Sequence, residues 1–87
     1  MYLHLGQNTV IRTKGIVGIF DLDSITVTER GRDYIKNAEK QGKVIYVSME
    51  LPKSCVLWKN DNEERLYISQ LSAATLLKRV EKPFFVK

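Results

Sequence analysis

The sequence predicts a small α+β domain with a mostly antiparallel sheet and two helices, on three observations. Short runs rich in β-branched and aromatic residues are bounded by turn-forming residues, the signature of strands and hairpins. Two segments carry apolar residues at helical spacing behind helix-start signals. The resulting order is three strands, a helix, a strand, two strands and a helix, with no internal repeat, low-complexity tract or linker to divide it. Residues 1–87 are therefore expected to form one domain.

Tyr2, Leu3, His4 and Leu5 make the first short strand, Gly6-Gln7-Asn8 turns the chain, and Thr9, Val10 and Ile11 bring it back. Arg12, Thr13, Lys14 and Gly15 form a basic turn ahead of an apolar third strand, Ile16 to Phe20. From Asp21 to Glu29 the chain reads as a polar connection that ends in helix-start signals. Thr26 with Glu29 three residues on fits a capping box, and Thr28 is the alternative N-cap. A helix is expected from about Thr28 to Gln41, closed by Gly42. Tyr34, Ile35 and Ala38 share its apolar face, while Arg30, Arg32, Lys36 and Lys40 lie mostly off it. Gly31 in its first turn counts against it by roughly 1 kcal/mol relative to alanine.

Lys43 to Met49 reads as a mostly buried strand, broken by Leu51-Pro52-Lys53. Ser54 to Lys59 and Arg65 to Ser69 form a hairpin across Asn60 to Glu64, which places Trp58 and Tyr67 near each other. A short last helix starts at Ser72 as N-cap, runs through Ala73, Leu76, Leu77 and Val80, and stops before Pro83. The tail, residues 82–87, carries the apolar Phe84-Phe85-Val86, suited to a neighbouring subunit or to the domain's own core.

At 87 residues a lone core is only marginally stabilising, so self-association is an expected source of further burial. The composition, 44% hydrophobic and 28% charged, excludes intrinsic disorder. A net charge of +4 is compatible with a polyanionic partner without requiring one. Cys55 is the single cysteine and lies in an apolar run, which fits a buried, reduced thiol and the cytoplasm. Met1 leads into alternating polar and apolar residues, so no signal peptide is expected, and the apolar runs fall short of the roughly 20 residues a membrane helix needs. The expected location is the cytoplasm, with no membrane partner.

Catalytic chemistry finds little support. Asp21-Leu22-Asp23 after an apolar strand resembles the first motif of haloacid-dehalogenase-type phosphotransferases, in which one aspartate attacks phosphorus and the next does acid/base work. Such enzymes also need a later Ser or Thr, a Lys and further acidic Mg²⁺ ligands on a much larger α/β sheet. The expectation is that both aspartates solvate a loop and favour the helix start that follows. His4 is the only histidine, too few for a His-based metal site or a nucleophile, base and orienter set; a strand histidine with a satisfied ring nitrogen is expected. Gly15 and Gly18 do not complete a phosphate-binding GxGxxG. No catalytic residue, metal ligand or cofactor is assigned.

Binding is the better supported class. Arg12 and Lys14 lie on one turn and Lys53 on another, while Lys36, Lys40 and Lys43 gather around the end of the first helix. Cations held near a duplex supply affinity through phosphates without reading sequence. No helix-turn-helix, zinc finger or RNP-type aromatic pair is present, so duplex binding would come from loops repeated across an oligomer.

Tyr2-Leu3-His4-Leu5-Gly6, Val10-Ile11 and Ile16-Val17-Gly18-Ile19-Phe20 together resemble the start of the RemA/RemB family. The resemblance continues through Tyr34 to Val44, Ser54-Cys55-Val56-Leu57, Leu66-Tyr67-Ile68-Ser69 and Thr75 to Val80, and rests on order, spacing and full length. It implies a non-enzymatic bacterial regulator of extracellular matrix and biofilm genes. RemA-like members assemble into rings and bind DNA through basic residues repeated around the ring, which raises the effective concentration of each successive contact. Lys14-Gly15 stands where RemA-type members place an arginine, and Glu50-Leu51-Pro52-Lys53 stands at their arginine-rich loop. The resemblance therefore implies Arg12, Lys14 and Lys53 as the DNA-binding residues of a ring-forming homo-oligomer, associated with the nucleoid when DNA is bound. A RemA-like protein is a further expected partner. The alternative is an oligomeric scaffold that regulates by protein contact alone.

Overall fold

A computed structural model describes residues 2–85, with side chains for residues 2–80. Two strands, β1 (Tyr2–Gly6) and β2 (Thr9–Arg12), form an antiparallel hairpin of their own. Its turn takes Gly6 to φ 111°, backbone that glycine adopts without steric cost, and Gln7 to φ 49°, left-handed backbone that a residue with a side chain adopts only at some cost. A second sheet has the order β3-β5-β6-β4, from β3 (Ile16–Asp21), β4 (Val44–Tyr46), β5 (Ser54–Lys59) and β6 (Glu64–Ser69). β3, β5 and β6 run antiparallel, and β4 joins β6 in parallel at the edge. The α+β class holds, but the opening strands do not extend the main sheet.

Strand alternation divides the core into two layers. Val56, Trp58 and Tyr67 face Leu3, Leu5 and Ile11 of the hairpin and Leu76 of the last helix, α3 (Ala73–Phe85). Cys55, Leu66 and Ile68 point the other way, against Ala38 and Ile35 of α2 (Glu29–Lys40) and Leu22 and Ile25 of α1 (Leu22–Thr26). Two fully buried serines bind the sheet to its surroundings, Ser69 to the hairpin and both to the Leu71 backbone that follows β6. Ser69 Oγ donates to the Leu5 carbonyl (2.7 Å) and accepts from the Leu71 N–H (3.1 Å), and Ser54 Oγ donates to the Leu71 carbonyl (2.7 Å).

Four expectations need correction. The stretch after Phe20 contains a short helix, α1, started by Asp21, whose Oδ1 accepts from the Asp23 N–H at 2.9 Å. Thr26 lies inside that helix and donates to the Leu22 carbonyl (2.8 Å), so Thr28 caps α2, accepting from the Gly31 N–H at 3.0 Å. The strand after α2 is three residues long and largely exposed, with Ile45 at 36% and Tyr46 at 58%, because it lies at a sheet edge. α3 continues to Phe85 through Pro83, where the ring's fixed φ is close to the helical value and a ladder hydrogen bond is lost. The side chains of the expected apolar tail lie outside the described residues.

Gly31 is not a mere liability in α2. A Cβ there would stand 1.8 Å from the Ile25 carbonyl oxygen, so the glycine is what lets α1 and α2 meet. Gly42, at φ 70°, closes the other end of α2 as expected.

Candidate nucleic-acid interface

The turn Thr13–Gly15 is a single 3₁₀ turn between β2 and β3, with Arg12 before it and Lys14 at its centre, both exposed. Pairing of Ile16 with Trp58 sets this turn against the far end of β5. Trp58 is only 9% exposed, and its indole N–H donates to the Arg12 carbonyl at 2.9 Å. Gly15 lies against the same ring: a Cβ at that position would approach the indole to 2.3 Å. The indole thus fixes the backbone that carries both cations.

Across the hairpin, Arg65 pairs with Trp58, and its guanidinium carbon lies 5.3 Å from the ring centroid, within cation–π range. One terminal nitrogen donates to the Tyr67 hydroxyl at 3.0 Å, and Nε donates to Glu63 Oε2 at 3.0 Å while the other terminal nitrogen reaches Glu63 Oε1. Hydrogen bonding to Glu63 and then to Tyr67 raises the Arg65 pKa further above its already high ordinary value, so the group stays cationic. Arg12, Lys14, Lys59 and Arg65 border a concavity of about 750 Å³ floored by Trp58 and Tyr67 and edged by Tyr2 and Val10. Asp61 also lines it, so one carboxylate stands among the four cations.

Of the three residues expected to bind DNA, Arg12 and Lys14 are brought together here and Lys53 is not. Lys53 sits at the opposite end of β5, where its carbonyl accepts from the Leu22 N–H (3.0 Å) and its N–H donates to the Ser69 carbonyl (2.9 Å). Five residue steps along β5 separate Lys53 from Trp58, roughly 17 Å at ~3.3 Å per residue. Lys36 and Lys40 lie on α2, on the other side of the sheet, and Lys43 pairs with Glu64 at 3.8 Å. Sequence reasoning missed Lys59 and Arg65. The available signal was the hairpin register, since Lys59 opposite Glu64 sets Arg65 opposite Trp58.

The remaining chemical candidates have structural roles or no partner chemistry. Asp21 caps α1 and Asp23 lies in its first turn, so the two aspartates start a helix where a solvated loop was expected. His4 is exposed on β1, so its ring meets solvent and needs no protein partner. Cys55 is fully buried and free, and burial pushes its thiol up to about 11. Among the described residues no group of three or more His, Cys, Asp or Glu is placed to hold a metal ion, and no helix is long and apolar enough to cross a membrane.

No protein-family model matches the sequence. Over 84 residues, 97% of its length, the chain is 34% identical to extracellular matrix regulatory protein B of Bacillus subtilis (strain 168), 95% of which is covered.

Proposed function

The chain belongs to the family of extracellular matrix regulatory protein B, or RemB, and we propose that it is a non-enzymatic regulator of matrix and biofilm gene expression that binds duplex DNA as a cytoplasmic homo-oligomer. The observation that carries this reading is the convergence of Arg12, Lys14, Lys59 and Arg65 on one concavity built over a buried indole. Four cations per subunit are few, but their repetition in an oligomer makes each later contact effectively intramolecular. Binding of this kind is tolerant of sequence and weakens steeply with salt, because the gain comes from counterions released by neutralised phosphates.

Fluorescence anisotropy with a labelled duplex at low salt tests the reading. Reversal of the turn, Arg12→Glu with Lys14→Glu, is expected to weaken binding at least tenfold and flatten the salt dependence. Lys53→Glu, some 17 Å away by strand length, adds its own loss independently if both ends of the sheet touch DNA. No binding by the wild-type chain at low salt refutes the proposal.

A second reading is an oligomeric protein-interaction regulator without DNA affinity, with a RemA-like protein as one partner. It is favoured by the apolar surface at the β4 edge and beyond it, where Tyr46 is 58%, Leu51 80% and Met49 fully exposed. Light scattering showing assembly, together with a gel shift showing no complex, selects this reading over the first.

A further inference from the structure

We infer that the Arg65 guanidinium is a phosphate-binding position of this groove, occupied in the free protein by Glu63 as an internal stand-in for phosphate. The inference rests on the DNA-binding reading above and assigns a role to two residues outside the basic turns.

The geometry differs from that of an ordinary surface ion pair. Arg65 uses all its nitrogens: one terminal nitrogen on the Tyr67 hydroxyl at 3.0 Å, Nε and the other terminal nitrogen on the two oxygens of Glu63. The guanidinium is held over Trp58, which is itself buried and bonded to the Arg12 carbonyl, so the fork is fixed before any ligand arrives. Its outward edge presents two parallel N–H donors, the arrangement that accepts either a carboxylate or two phosphate oxygens.

Glu63 occupies that edge because its backbone is pinned. Asn60 Oδ1 accepts from the N–H groups of Asn62 (2.9 Å) and Glu63 (2.8 Å), and the Asn60 N–H donates to the Glu63 carbonyl (2.9 Å). The turn therefore delivers the carboxylate to Arg65 while the side chain stays 45% exposed and free to rotate outward. An exposed pair of this kind contributes little to folding, so a phosphate can replace the carboxylate with little structural loss. Until it does, Glu63 neutralises Arg65, one of the four cations that border the groove.

Glu63→Gln keeps the side-chain length and the turn while removing the charge. In the full-length chain it is expected to bind a labelled duplex about three- to tenfold more tightly at low salt, with a salt slope steeper by about 0.9 for each phosphate newly contacted. Adding Arg65→Gln should abolish that gain, and Glu63→Ala should reproduce it. Trp58 is the only tryptophan, so its fluorescence reports the exchange directly and should shift on adding pyrophosphate to wild type but not to Arg65→Gln. A wild-type chain that binds DNA, with Glu63→Gln and Glu63→Ala within twofold of it, overturns the inference and leaves the groove as the DNA site. Absence of binding by wild type removes the DNA-binding reading and this inference with it.

Discussion

Replacing Gly31 with alanine sets helix propensity against packing, and the two predict opposite signs. In an unconstrained helix interior the exchange stabilises by roughly 1 kcal/mol. In this fold the new methyl would stand 1.8 Å from the Ile25 carbonyl oxygen, 2.8 Å from its carbon and 2.9 Å from Thr28 Oγ1. Relief requires a backbone carbonyl to move by more than roughly 1 Å, since even tight Cβ contacts begin near 3.0 Å. Ile25 belongs to α1 and packs against the core beneath α2, so the movement separates the two helices. It also strains the cap, in which Thr28 Oγ1 accepts from the Gly31 N–H at 3.0 Å. Overpacking costs about 1–3 kcal/mol and a lost cap about 1, which leaves a net destabilisation of about 1–3 kcal/mol after the propensity gain. For a domain of this size that lowers the melting temperature by roughly 5–20 °C. Thermal and urea unfolding followed by circular dichroism measure it. A variant as stable as wild type, or more so, refutes the close approach of α1 to α2.

Ser69→Ala leaves the Leu5 carbonyl and the Leu71 N–H without their partner at a fully buried position, so urea unfolding should show a loss of about 1–3 kcal/mol. Hydrogen exchange should place the earliest opening in the β1–β2 hairpin, which that hydroxyl ties to the sheet. Burial pushes the Cys55 thiol from 9.0 up to about 11, so the unfolded chain gives up this proton first. The associated stability is intact below about pH 9 and falls, on the order of 2 kcal/mol, as pH rises toward 11. Comparing urea midpoints of wild type and Cys55→Ala across that range isolates the contribution, and parallel curves count against it.

Local chemistry made much of the fold legible. The β5–β6 hairpin follows from alternation and from an Asn-rich turn, and α2 from a hydroxyl cap, an apolar face and a closing glycine. What stayed hidden depends on contacts distant in sequence. Thr26 and Thr28 are equivalent as caps until α1 takes Thr26 into its own ladder. Val44 to Val47 has the composition of a central strand, but only its neighbours in space decide that it lies at an edge. Gly31 looks weak in one dimension and indispensable in three. The candidate site divides in the same way: Arg12 and Lys14 share a turn and were visible as a pair, whereas Lys53 is equally basic and equally exposed but is separated from them by the length of β5.

Trp58 accounts for the chemistry of the groove more fully than any one cation does. Its indole takes the space beside Gly15, the position at which RemA-type relatives are expected to carry arginine, and a Cβ there would come within 2.3 Å of the ring. A side chain at residue 15 and this buried indole are therefore mutually exclusive without movement of the ring. The indole also anchors the Arg12 carbonyl, so the turn can present Lys14, a point charge, but gains no planar fork of its own beyond the exposed Arg12. The fixed fork comes from across the hairpin, where Arg65 lies over the other side of the arrangement, 5.3 Å from the ring centroid. One aromatic side chain thereby denies residue 15 a side chain and orients Arg65 from β6, so the fixed cation of the groove stands on a strand. Strand residues hold their geometry better than loop residues do, and a fork held in that way favours bidentate contact over general charge attraction.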